Sequence, residues 1–199
     1  MRFTLILGLA AASALSVAQG VTVSFSTGSS FTLFQTSSGN ELDGGFIHAG
    51  YYPTSPIGLG SLDLRDNFIT FGTLAGASNA SGFFADGSFP DAPLDGAAGQ
   101  ALYLVVTDTA TVGAATELAV FTNTEDSDWA FPSSELAFGP GPSVEDITPG
   151  TSGALLLAGT ETTSTLTGGG PAIGLSAVPE PSTALLGLLG VLGLLRRRR

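Results

Sequence analysis

Cysteine and lysine are both absent from the chain, and histidine occurs only once. Without cysteine there can be no disulfide, iron–sulfur cluster, thiolate zinc site or cysteine nucleophile. A conventional zinc site is disfavoured because His48 would be its single imidazole. A serine hydrolase would also have to use His48, and the chain contains no Gly-x-Ser-x-Gly segment to position a nucleophile. No enzyme activity and no cofactor are predicted, although the abundant carboxylates leave a glycosidase with paired acids as an alternative.

Positive charge is scarce and lies almost entirely at the two ends of the chain. All six basic residues are arginines: one is at position 2, four end the chain, and Arg65 is the only one between them. Without residues 1–18 and the tail from Glu180 onward, Arg65 stands against sixteen acidic residues, a net charge of −15. This balance excludes nucleic acid as a partner and favours solubility outside the cell.

The last 22 residues, 178–199, combine three elements that together are typical of a membrane tail. The first is a stiff polar segment, in which each proline fixes its own φ and restrains the residue before it. Its residues are Val178, Pro179, Glu180, Pro181 and Ser182. The second is the apolar run 184–195, which we predict to be a transmembrane helix. Twelve helical residues extend only about 18 Å across a hydrocarbon core of about 30 Å, so the run suits a transient anchor.

The third element is a basic stop, made of Arg196, Arg197, Arg198 and Arg199. Arginines stay on the cytoplasmic side of a membrane, so they place the C-terminus inside and the body of the protein outside. A plain single-span anchor, with Pro-Glu-Pro as a mere linker, is the alternative that these physical arguments leave open.

The three elements in this order resemble the PEP-CTERM sorting signal of Gram-negative bacteria. The resemblance implies recognition by an exosortase, a membrane-embedded enzyme similar to cysteine transpeptidases, which cleaves near Pro-Glu-Pro. It further implies an exported protein of the cell surface or extracellular matrix, in bacteria that make exopolysaccharide. The membrane would hold the protein through its C-terminal helix until processing.

The N-terminus has the three parts of a secretory signal peptide. A basic residue at position 2 precedes the apolar stretch 3–12, and small residues follow, with Ser16 and Ala18 at the −3 and −1 positions of a cut before Gln19. We predict a signal helix in residues 1–18, removed by signal peptidase. An N-terminal transmembrane anchor is the alternative.

The body, residues 19–177, is predicted to be a single extracellular domain with mainly β structure. Alternating or continuous apolar runs bounded by Gly, Ser, Asp and Pro predict its strands, at 21–26, 30–34, 46–52, 101–106, 117–121, 154–158 and 172–177. The two most apolar runs, 101–106 and 117–121, suit central strands buried on both faces. Many short strands favour an antiparallel β-sandwich of jelly-roll or immunoglobulin-like type, with a β-barrel as the alternative.

One segment favours a short helix instead. Ser61 can serve as an N-cap, Leu64, Phe68 and Phe71 follow at helical spacing, and Gly72 is a natural C-cap. Residues 68–71 also suit a strand, so the period-two interpretation stays open.

Two groups of residues in the body are candidate binding sites. Trp129 and Phe131 could stack on a sugar ring, although such a pair more often plugs the edge of a β core. Glu125, Asp126 and Asp128 offer oxygen ligands to calcium, although acidic residues are also common in turns. The main hypothesis is therefore a structural or adhesive surface protein, and the alternative is a carbohydrate- or calcium-binding module in an exopolysaccharide matrix.

Overall fold

The computed structural model describes residues 21–25, 33–75, 87–89, 94, 96–133, 143–144, 152–163 and 171–180. Within these ranges the chain is mainly β, with mostly antiparallel pairing and one α-helix. This confirms the prediction of a mainly β body with a short helix. The type of sandwich stays a prediction, and the two terminal helices fall outside the described residues.

The elements follow one another along the chain with short strands near both ends of the body and long strands in its middle. They are β1 (Ser24–Phe25), β2 (Leu33–Gln35), β3 (Phe46–Tyr51), α1 (Ser61–Asn67), β4 (Ile69–Ala75), β5 (Gly87–Ser88), β6 (Tyr103–Thr107), a 3₁₀ turn (Val112–Ala114), β7 (Glu117–Asn123), β8 (Ser143–Val144), β9 (Ala154–Ala158), β10 (Thr160–Thr163), β11 (Pro171–Gly174) and β12 (Ser176–Ala177).

A six-stranded antiparallel sheet forms the centre of the body, in the order β12-β7-β6-β3-β4, with β9 also paired to β7. The predicted strands at 46–52, 101–106, 117–121 and 154–158 correspond to β3, β6, β7 and β9. Every residue of β6 and β7 after the first is buried. The prediction that the two most apolar runs are central strands is therefore confirmed.

Each face of the central sheet has its own apolar core. On one face, which we call the short-strand face, Phe121 of β7 stacks on Phe34 of β2 at 6.2 Å between ring centres. The short strands there belong to the three-stranded sheets β5-β1-β8 and β10-β11-β2. On the other face, the helix face, Leu64 of α1 is fully buried in a cluster with Leu118 and Val120 of β7. Side chains of alternating residues serve the two faces in turn, as the pleat of a strand requires.

The predicted short helix is present, but the prediction of Ser61 as its N-cap is wrong by one residue, and the predicted end is also wrong. The helix spans Ser61–Asn67, its N-cap is Gly60, and it ends at Phe68 in an extended conformation. Residues 69–75 form β4, which pairs antiparallel with β3. The period-two alternative was right for Phe71, because pairing along a sheet edge outweighs a weak helical spacing. Gly72 is accordingly a strand residue that packs against Phe89, not a helix C-cap.

At the end of the body, the predicted strand 172–177 is divided between two sheets. Residues 171–174 pair with β2 and β10, and the amide of Leu175 still donates to the carbonyl of Gln35 at 2.8 Å. Ser176 and Ala177 then cross to the central sheet and pair with β7. The chain therefore changes sheets immediately before the tail begins.

Replacing Gly50 with alanine should unfold the body more easily, because the added Cβ would meet the carbonyl of Ile69 and lie 2.5 Å from the ring of Phe68. Gly50 sits at the bulge where β3 shifts register against β4. We expect a loss of at least about 2 kcal/mol in the free energy of unfolding, measured by urea titration. Gly113→Ala is the matched control, since nothing lies within 4 Å of its Cβ position. Equal losses in the two variants would contradict the prediction.

Candidate functional site

The tail leaves the body from β12, at the outer edge of the central sheet. Ser176 and Ala177 pair with Leu118 and Glu117 of β7. The amide of Val178 extends this pairing by donating to the carbonyl of Thr116 at 2.8 Å. The last residues of the body are thus fixed to a central strand by backbone hydrogen bonds.

Side chains reinforce this attachment on three consecutive residues. The hydroxyl of Ser61, the first residue of α1, donates to the carbonyl of Ala177 at 3.0 Å. The hydroxyl of Ser176 accepts from the amide of Gly159 at 2.9 Å. Val178 is only 5% exposed and belongs to the core of the helix face. We call residues 176–178 with these partners the β12 clamp.

Opening the β12 clamp is costly compared with the stability of a small domain. Burial of a valine side chain contributes about 1.5–3 kcal/mol, and each hydrogen bond adds about 0.5–1.5 kcal/mol net. Detachment of the clamp, which breaks three such hydrogen bonds, therefore costs about 3–7.5 kcal/mol. The chain is held firmly as far as Val178.

The sorting segment becomes exposed directly after the β12 clamp. Pro179 and Glu180 are both exposed, whereas Val178, which the sequence groups with them, is buried in the body. Of the five predicted motif residues, Val178 therefore anchors the chain to the body, and the exposed Pro179 and Glu180 follow it. Pro181 and Ser182 lie outside the described residues.

The remaining predicted tail and leader residues also lie outside the described part of the chain. They are the apolar segment 184–195, the basic stop Arg196, Arg197, Arg198 and Arg199, and the signal cleavage position between Ala18 and Gln19. Within the described ranges, no helix has both the length and the apolar character needed to cross a membrane.

Acidic side chains brace the turn that receives Val178. Asp108 accepts hydrogen bonds from the amide of Thr116 at 3.1 Å and from its hydroxyl at 2.5 Å. Next to it, the carboxylate of Glu117 accepts from the amide and the hydroxyl of Ser37. Arg65 donates from Nη1 to the carbonyl of Ala115 at 3.5 Å and pairs with Asp66. Sequence reasoning missed the contacts of Ser37 with Glu117 and of Arg65 with Ala115, because no local pattern links residues so far apart in the chain.

His48 is held between two threonines, one on each of the strands that pair with β3. Its Nδ1 and Nε2 lie 2.9 Å from the hydroxyls of Thr73 and Thr107, and the ring is 1% exposed. Thr107 donates its own proton to the carbonyl of Thr109 at 2.6 Å, so it accepts from Nε2–H of the imidazole. Burial lowers the pKa of His48 from 6.5 to about 4. Both ring nitrogens are occupied, as expected of a structural histidine.

The acidic residues that the sequence suggests as calcium ligands lie in a turn that is held by hydrogen bonds among its own residues. The side-chain oxygen of Asn123 accepts from the amides of Glu125 and Asp126, and Asp126 accepts from the amide of Asp128. The carboxylate of Glu125 accepts from the hydroxyl of Ser152 at 2.5 Å. In the part of the chain that the structure describes, no group of three His, Asp or Glu side chains could hold a metal ion.

The aromatic pair weighed as a sugar-stacking surface lies in the core. Trp129 is 3% exposed and Phe131 is 2% exposed. Trp129 meets Phe121 edge-on, and Phe131 packs against Tyr51 and Phe71. Their ring faces are covered, so the pair plugs the short-strand core as its alternative interpretation predicted.

The last strand of the mainly β body leads directly into the exposed residues Pro179 and Glu180. Residues 177–199 match a family model described as the PEP-CTERM protein-sorting motif. The chain is therefore a PEP-CTERM motif-containing protein, which confirms the resemblance. The motif indicates export and exosortase-targeted sorting through a membrane-anchored signal. No curated protein and no solved structure matches the chain.

Proposed function

We propose that this chain is a surface or extracellular-matrix protein whose sorting tail is removed by an exosortase at or near Pro179-Glu180-Pro181. The observation that carries the proposal is the PEP-CTERM match, which begins at Ala177, where the last strand of the body ends. Before processing, the tail tethers the protein to the inner membrane. After processing, the body is a cell-surface or extracellular protein.

The body itself acts as a structural or adhesive component and not as an enzyme. Its single histidine is buried and bonded to two threonines. Trp129 and Phe131 are buried, the carboxylate of Asp126 accepts from the amide of Asp128, and that of Glu125 accepts from the hydroxyl of Ser152. These observations favour the structural hypothesis over a carbohydrate- or calcium-binding module in the matrix. Glycan-array binding, or a rise in melting temperature with calcium, would instead support the module.

Intact-mass analysis of the exported protein tests the processing step. In the host with its exosortase, we expect the mass of a chain that lacks residues from about Pro179 onward and also lacks residues 1–18. Without the enzyme, the C-terminal tail should be retained while the signal peptide is still removed. A complete tail in both strains would contradict the proposal, and so would loss of the tail in both.

A further inference from the structure

The β12 clamp stands close to the membrane segment that follows it. Five residues, 179–183, separate Val178 from the start of the predicted transmembrane helix. Fully extended, they span at most about 18 Å. A membrane-embedded processing enzyme must therefore act within this short stretch, or else pull residues out of the folded body.

Pulling residues out requires the whole β12 clamp to open. The backbone bond from Val178 to Thr116 and the side-chain bonds of Ser61 and Ser176 act on three consecutive residues. These hydrogen bonds must break together, because the processing enzyme binds its substrate as an extended segment. Release of a single residue of β12 would not free a segment long enough to enter the cleft of the enzyme. Such an opening is populated in only about one molecule in a thousand.

We propose that the β12 clamp is a positioning element for tail processing, which closes the chain to the enzyme up to Val178 and confines cleavage to residues 178–184. In the cleavage, one peptide C–N bond breaks, its carbonyl carbon passes to water or to an acceptor amine, and the tail leaves with a new amino terminus. The processed body keeps β12, so its central sheet remains intact. This inference rests on the proposed processing of the tail.

The test uses the full-length chain in its host with exosortase present, and mass spectrometry of the C-terminal peptide of the exported product. The wild type should end between residues 178 and 183. In the double variant Ser61→Ala/Ser176→Ala, which leaves the sorting motif untouched, products ending upstream of Val178 should rise at least about tenfold. The double variant Ser61→Thr/Ser176→Thr, which keeps both hydroxyls, should give the wild-type product.

Two measurements separate positioning from a general loss of structure. Hydrogen exchange of the detergent-solubilised chain should accelerate at the Val178 amide in the double variant and stay unchanged in β6. The control Ser152→Ala removes a hydroxyl bond to Glu125, which follows the end of β7 opposite to the β12 pairing, so its cleavage position should match the wild type.

Three results are decisive against the inference or its basis. A wild-type product that ends upstream of Val178 overturns the clamp proposal. An unchanged cleavage position in the double variant, despite faster exchange at Val178, also overturns it. Absence of processing in every strain overturns the proposed function instead, and with it the role given to the clamp.

Discussion

Replacing Glu180 with alanine should leave the sorting tail on the exported protein, with the unprocessed fraction rising about tenfold or more. Glu180 is exposed, stands between two prolines in the sequence, and is two residues from the buried Val178. An enzyme that recognises this carboxylate on a stiff segment gains from an interaction that costs little conformational entropy. Loss of a single charged contact worth about 1.4 kcal/mol already gives a tenfold change.

The matched control for this variant is Glu161→Ala. Glu161 is exposed on β10, outside the sorting segment, so its replacement removes the same charge without altering that segment. Processing is measured by the ratio of the two intact masses in the exported fraction. Normal processing of the Glu180 variant, or equal loss in both variants, would show that recognition does not depend on this carboxylate.

Acidification should destabilise the body through His48. The folded-state pKa is about 4 against 6.5 for an unperturbed histidine, because burial disfavours the charged ring. The stabilisation is therefore fully present above 6.5 and is lost as pH falls towards 4, where the unfolded chain binds a proton that the folded chain refuses. Between about pH 7.5 and about pH 5, the free energy of unfolding should drop by about 2 kcal/mol from this residue alone.

The variant His48→Gln isolates this effect from other titrating groups. Glutamine keeps hydrogen-bonding atoms near Thr73 and Thr107 but carries no titrating proton, so its stability should change less over the same range. The quantity to compare is the difference in unfolding free energy between the two pH values, obtained by urea titration of each protein. Equal pH dependence in wild type and variant would contradict the assignment of the loss to His48.

Much of the central sheet could be predicted from local pattern, because its strands carry their own signal. β6 and β7 are buried on both faces, so their sequences are continuous apolar runs. Such runs can be predicted as strands without knowing which strands they pair with. The end of α1 could not be predicted in the same way. Phe68 and Phe71 fit a helix or a strand by spacing, and only the pairing of β4 with β3 decides between them.

In the candidate site, too, one part could be predicted from local sequence and another part depends on distant contacts. The exposed residues of the sorting segment, Pro179 and Glu180, belong to a short motif that can be recognised in the sequence. Its attachment depends on Ser61, Thr116 and Gly159, which reach β12 across long stretches of chain. Contacts of this kind cannot be predicted from a single sequence, because the residues next to Ser61, Thr116 and Gly159 in the chain form no pattern that indicates a contact with β12.

The parallel pairing of β2 with β11 has a consequence for the order of events during export. Phe34 lies opposite Ile173, so one of the first strands of the body finds its partner only near the end of the domain. Contacts so distant in sequence form late and slow the folding of the chain. The body therefore completes its topology only after almost all of it has crossed the membrane. The body then completes its folding at nearly the same time as the sorting tail reaches the membrane surface.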